Sequence, residues 1–324
     1  MAEIEDPIVT LARLLDKNIH VVKDDGNLAD ICVTTEWYDR EIFKNVDGQV
    51  TVGLDHSIDQ KLGLSATLRR RVGIARVKIW VVDKPGSAAR QIRNKLRQEI
   101  NRVVREKRTT PNETLYNYVG VGAGSATHKA YYAVSSSELA PDAPGWTEFS
   151  AADYEKLWQS DDSRFSVSQS ENGKYSLLLF RIKVESNEKT VKKLVLKFEG
   201  YGTAPAGNGV TVKAWNSEVS AWQGTETGTG DADEELVIVL ESSLTDFVDS
   251  EGYVYLLALT TSPSDGGSAA VLYCDLVDCL VAVEGISYVD MVSYRDVDDV
   301  RFKPYIWRTE FIVKTWLFEN VTVT

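Results

Sequence analysis

The chain has 324 residues, of which 43% are hydrophobic and 10% aromatic, so it can bury a full core and make two domains of ordinary size, and general disorder is excluded. The net charge is −12 and uneven: Lys and Arg number 20 against 17 Asp and Glu in residues 1–125, 11 against 25 in residues 126–285, and 5 against 6 in residues 286–324. A charge step at both ends of the middle segment marks it as a separate domain, and its −14 argues against contact with DNA there.

In chain order, the opening MAEIEDPIVTLARLL places acids ahead of an interrupted apolar stretch, which fits neither a signal peptide nor a membrane span. Asp6 and Pro7, with Ile8, Leu11, Leu14 and Leu15 at helical spacing, predict a short amphipathic helix. Strands are predicted over Ala29–Tyr38, Val50–Leu54 and Arg71–Val82. Ser87 is the expected cap of a helix over Ala88–Arg108, whose apolar face is Ile92, Leu96, Ile100, Val103 and Val104. The opposite face is basic, with Arg90, Arg93, Lys95, Arg97, Arg102, Arg105, Lys107 and Arg108, and reads either as a solvated surface or as a face turned to a polyanion.

Gly120–Ser125 has the look of a phosphate-binding loop but opens no helix, so it reads as a flexible linker. Residues 126–285 then give short alternating runs separated by Gly, Asn, Asp, Ser and Pro, the pattern of a sandwich or jelly roll. Ile286–Val297 and Tyr305–Val321 are two long strands that need a sheet elsewhere, and the strands of residues 29–82 are the expected partners. The domains are therefore 1–125 plus 286–324, and an inserted 126–285. The expected class is α+β, a discontinuous mixed sheet with two helices carrying an all-β sandwich.

That outer order of helix, strands, helix and a late strand bearing Ser293, Tyr294, Arg295, Asp296 and Val297 resembles the tail-terminator or tail-completion proteins of long-tailed phages and archaeal viruses. The resemblance implies a virion protein of the tail–neck region, made in the host cytoplasm, and a ring, typically of six subunits, that caps the tail tube. Its partners would be the tube protein and neck or head–tail connector proteins, with DNA passing through the lumen. Lys44, Arg69, Arg70, Arg71, Arg93 and Arg97 are the residues expected at ring, tube or DNA contacts.

The insert resembles jelly-roll modules of the carbohydrate-binding type, through Trp146, Phe149, Tyr154, Gly200, Tyr201, Gly202, Trp215, Asn216, Trp222 and the run Leu272–Val277. On this resemblance Tyr201, Trp215, Asn216 and Trp222 are the expected contacts to a surface glycan, and an adhesin or baseplate component is the competing reading of the whole chain. Asp161, Asp162 and Asp275, with Asp278 near by, are the carboxylates that a calcium ion would find.

No catalytic residue is expected: His20, His56 and His128 form no HExxH, and neither a GxSxG elbow nor a Walker lysine is present. Cys32, Cys274 and Cys279 suggest neither a disulfide framework nor a zinc site. The last two, five residues apart in one strand, are expected on opposite faces.

Overall fold

A computed structural model describes residues 2–62, 68–84, 88–301 and 303–320. Ser87 and Val321, the expected helix cap and strand end, lie outside the described residues. In chain order the elements are α1 (Pro7–Asn18), β1 (Ile31–Thr34), β2 (Gly48–Lys61), β3 (Leu68–Val82), α2 (Ala89–Glu106), β4 (Glu113–Tyr116), β5 (Lys129–Ser135), β6 (Thr147–Glu148) and α3 (Ala151–Glu155). Then follow β7 (Phe165–Gln169), β8 (Tyr175–Lys183), β9 (Val191–Thr203), β10 (Val210–Asn216), β11 (Ala221–Thr227), β12 (Glu234–Leu240), β13 (Tyr253–Thr260), β14 (Ala270–Val283), β15 (Ile286–Asp296) and β16 (Ile306–Asn320).

The expected α+β class is overturned. Among the described residues the chain is mostly β, with 16 strands against three α-helices and sheets resembling a β-sandwich, which is not a tail-terminator build on two core helices. The helical stripe of α2 is so regular that it outweighed the strands in the sequence. The alternation in residues 48–82, broken by charged residues, conceals a hairpin of 14- and 15-residue strands. No described helix is long and apolar enough to cross a membrane.

The chain divides into two compact units, one of residues 1–3 and 115–283, the other of residues 4–114 and 284–324. In the discontinuous unit a five-stranded sheet runs β1-β2-β3-β16-β15, antiparallel except for the parallel pair β1 and β2. Asp6 caps α1 by accepting from the Ile8 N–H at 2.7 Å, and Pro stands in its first turn. The odd-numbered Ala75, Val77, Ile79 and Val81 of β3 pack with Phe311 and Val313 of β16 against Leu11, Leu14 and Leu15 of α1 and Ile92, Leu96, Ile100 and Val103 of α2. Alternation therefore turns the even-numbered residues of β3 and β16 away from the helices.

The other unit is a sandwich. A six-stranded sheet, β11-β10-β13-β8-β5-β6, faces a second one ordered β12-β9-β14-β4, with β7 also on β14. Phe149, Tyr154, Phe180, Phe198 and the inward aliphatic residues fill the space between. Cys274 and Cys279 are both in this core instead of on opposite faces, because the β14–β9 register slips between Cys274 and Leu276. Such a bulge inserts one residue and flips the alternation. Gly200 lies opposite it, where an added Cβ would stand 2.2 Å from the Tyr273 carbonyl oxygen. The Gly120–Ser125 run belongs to this unit: Tyr118 ahead of it is fully buried, and the Gly124 N–H donates to Glu148 Oε1 at 2.8 Å.

Candidate functional site

The six-stranded sheet has one face in the core. Its other face carries the alternate residues: Tyr131 and Ala133 of β5, Leu177, Leu179 and Arg181 of β8, Tyr253, Tyr255, Leu257 and Leu259 of β13, and Trp215 of β10. Register aligns Tyr131 with Leu179 and Leu179 with Leu257, and sets Arg181 between Lys129 and Tyr255. At one end Ala133, Leu177, Leu257 and Leu259 form a small buried cluster, against which Leu139, Trp146 and Trp222 pack. The Trp146 Nε1–H donates to the Ala140 carbonyl at 2.9 Å and the Trp222 Nε1–H to the Leu139 carbonyl at 3.0 Å. Two indoles thus fasten one loop over apolar strand residues.

Beside that covered patch the sheet stays open as a cleft of about 480 Å³. Tyr131, Trp215 and Tyr255 supply its rings; Arg181, Asp142 and Asp249, with Ser217 and Ser220, supply polar groups. The Tyr255 hydroxyl donates to Asp249 Oδ2 at 3.0 Å, and Asp249 Oδ1 accepts from the Glu251 and Tyr253 N–H groups at 2.9 and 2.8 Å. Burial, and then the Asp249 charge, push the Tyr255 phenol well above its ordinary range, so it is a hydroxyl throughout the neutral range. The Arg181 guanidinium lies over the Tyr253 ring at 4.5 Å, and its Nε has no hydrogen-bond partner among the described residues. Rings on a rigid floor beside a few oriented polar groups are the make-up of a small-molecule site.

The residues expected at a glycan are divided by this geometry. Trp215 lies in the cleft, edge-on to Trp222 at 5.0 Å. Trp222 spends its N–H on the loop. Asn216 is 5% exposed and holds the β10–β11 turn, its Oδ1 accepting from Glu218 and Val219 N–H groups and its Nδ2 donating to Gln223. Tyr201 is on the other sheet, where it stacks on Tyr273 at 4.5 Å with 17° between the planes. Tyr131, Arg181 and Tyr255 were missed in the sequence, although the alternation of Tyr253, Tyr255, Leu257 and Leu259 along β13 carries their signal.

Around Tyr201 lies the acidic group. One carboxylate oxygen each of Asp162, Asp233 and Asp275 falls within 4.8 Å of the others. Asp275, at the bulge, is 1% exposed; its Oδ2 accepts from the Asp162 N–H at 3.2 Å, while its Oδ1 has no partner among the described residues. Burial raises its pKa above the ordinary carboxylate value. Arg164 donates to both Asp233 oxygens at 2.9 Å and contacts Asp162, so a cation placed there would have to move this guanidinium. Asp161 turns away, accepting from Ser163 N–H and Gln159, and Asp278 stands half-buried by Lys197. Asp162, Asp233 and Asp275 could hold a cation, with fewer oxygens than the six to eight calcium takes.

The expected ring and DNA contacts are scattered. Arg93 is 2% exposed and pairs with Asp296 and Asp298; Arg97 also pairs with Asp296, at 2.9 Å. Lys95 pairs with Asp24, Arg102 with Glu99 and Glu106, and Arg108 with Asp290, so the chain's own acids neutralise much of the basic face of α2. Lys44 sits in a 3-10 turn beside Glu41. Arg71 pairs with Asp59 and Glu319, Arg70 contacts Gln60, and Arg69 is opposite Lys61 in the β2–β3 hairpin.

Residues 125–283 match the family model described as "Uncharacterized protein, C-terminal domain", a stretch within the sandwich unit. No curated protein matches the sequence. Among solved structures, the chain is similar to a xylan-binding module at 8% identity and a TM-score of 0.30, over 52% of this chain and 97% of that one. It is also similar to the family 11 carbohydrate-binding module of a Clostridium thermocellum cellulase, at 11% identity and a TM-score of 0.22, over 54% of this chain and 89% of the module. The enzymatically active domain of tailspike protein 4 of bacteriophage CBA120 matches at 11% identity and a TM-score of 0.23, over 52% of this chain and 19% of its own. Scores of this size establish no common fold, and what those proteins bind or cut belongs to them.

Proposed function

We propose that the sandwich unit binds a glycan in the cleft of the six-stranded sheet. The observation that carries this is the convergence of Tyr131, Trp215 and Tyr255 on one floor, edged by Arg181, Asp142 and Asp249. A saccharide ring offers a C–H face to aromatic rings and hydroxyls at its rim to charged and amide groups. Trp215 is the ring best suited, because its indole N–H makes no hydrogen bond among the described residues, whereas those of Trp146 and Trp222 do. Asp249, held by the Glu251 and Tyr253 N–H groups and the Tyr255 hydroxyl, is an oriented acceptor at the rim of this binding site. The ring-forming tail-terminator role is not carried forward, since it depended on an α+β build that the chain does not have.

The test is a glycan array with the whole chain, followed by affinity electrophoresis in the retained polysaccharide. Trp215→Ala and Tyr131→Ala should each weaken retention about tenfold or more, the scale of losing a central aromatic contact. Trp222→Phe should act on thermal stability more than on retention. An array without a hit, or retention indifferent to Trp215→Ala, would remove the glycan reading.

A further inference from the structure

The sheet of the discontinuous unit buries one face under α1 and α2; on the other, Tyr38 packs on Trp80 at one end and most of the even-numbered residues of β3 and β16 are partly exposed. Register arranges that outer face in rows: Trp80 beside Arg308; Lys78 beside Glu310, then Arg295; Arg76 beside Ile312; Ile74 beside Lys314, then Asp290; Val72 beside Trp316, then Tyr288. Five cations therefore share three strands with two acids, among tryptophan and tyrosine rings. On the helical side Arg93, Lys95, Arg97 and Arg102 of α2 are ion-paired, but here the balance is left positive.

Some of this charge is internally matched. Arg76 pairs with Asp55 at 2.8 Å and Arg295 with Glu310 at 3.0 Å. Three cations are not, and each rests on a ring: Lys78 is 6.0 Å from the centre of Trp37, Arg308 5.0 Å from Trp80, and Lys314 4.9 Å from Trp316. Among the described residues Lys78 and Lys314 make no ion pair within 4.0 Å, and Arg308 reaches Glu310 only at 3.9 Å. Two buried donors on the same side, Arg308 Nε and Tyr38 Oη, lack acceptors. Trp37 is 87% exposed and closes a cleft of about 420 Å³ with Tyr38 and Trp80.

We infer that this face binds single-stranded nucleic acid. A partner that satisfies the surplus cations must bring negative charge, and one that also uses Trp37, Tyr38, Trp80 and Trp316 must bring flat rings; phosphates and unpaired bases supply both. Trp80 and the row of Trp316 are eight residues apart along β3, about 26 Å at strand rise, which suits a footprint of at least about four nucleotides. A duplex hides its base faces and would leave the rings unused. The contacts of Lys78, Arg308 and Lys314 with phosphates weaken as salt rises, so association belongs to low salt.

The experiment is fluorescence anisotropy of a labelled oligodeoxythymidylate titrated with the full chain, alongside the matching duplex and polyglutamate. Binding of the single strand should be tightest and should weaken about twentyfold between 50 and 200 mM salt, as neutralisation of about three phosphates requires. Trp37→Ala, at a site too exposed to affect folding, should weaken it at least about fivefold, and Lys78→Gln with Lys314→Gln should flatten the salt slope. No binding of the oligonucleotide at 50 mM salt, equal binding of polyglutamate or duplex, or indifference to Trp37→Ala would each overturn the inference.

Discussion

Tyr154 shows how much one side chain settles. It is fully buried; its hydroxyl accepts from the Ala130 N–H at 2.9 Å, and burial raises its phenol to about 12. A phenol that ionises near 10 when unfolded and near 12 when folded stabilises the fold fully below the first value, and that stability drains as pH rises through the second. Tyr154→Phe should cost about 1–3 kcal/mol at neutral pH by orphaning the Ala130 N–H, and should make the alkaline fall of stability shallower. Denaturant titrations at neutral and alkaline pH check both. At the acidic group the proposal is calcium. If Asp162, Asp233 and Asp275 hold it, millimolar calcium should raise the Tm of the native chain by several degrees and chelation should reverse this, whereas Asp275→Asn should not respond. A native Tm indifferent to calcium would leave Asp275 as a buried carboxylate held by the Asp162 and Asp161 N–H groups.

At the scale of elements, what the sequence made legible follows from periodicity, and what it hid follows from breaks in periodicity. The stripe Ile92, Leu96, Ile100 and Val103 is α2 as the spacing requires. The bulge at Cys274–Leu276 carries no composition signal, so the inward turn of Cys279 and the burial of Asp275 could not be read. The cleft was half legible: Trp215 stood out as a tryptophan near a turn, but Tyr131 and Arg181 come from strands far apart in sequence, brought together only by register. Tyr201 was drawn to the same rim because sequence order does not say which sheet a strand joins. The charge balance of the α2 face was hidden for a related reason, since Asp296 and Asp298, which pair with Arg93, lie about two hundred residues away.

For the whole molecule, two separate cores mean two cooperative units. Calorimetry should give a van't Hoff enthalpy below the measured one, resolved into two transitions. Leu96→Ala, which empties a fully buried position under the open sheet, should lower one of them by about 2–5 kcal/mol, and Phe198→Ala should lower the other by about 3–5 kcal/mol. A single two-state transition, shifted equally by either substitution, would show that the cores unfold together.

The pairing of β3 with β16, from Ile306 opposite Val82 to Asn320 opposite Leu68, also sets a schedule. On the ribosome β3 emerges early and keeps one edge unpaired while the whole sandwich is translated. The sandwich, whose strands are contiguous in sequence apart from residues 1–3, can close first. Once it has, the span separating β3 from its partner is no longer a long free loop, and the entropy of bringing the two strands together falls. Of the two units, the one begun first is thus completed last, and its bare strand edge is where a nascent chain would need a chaperone.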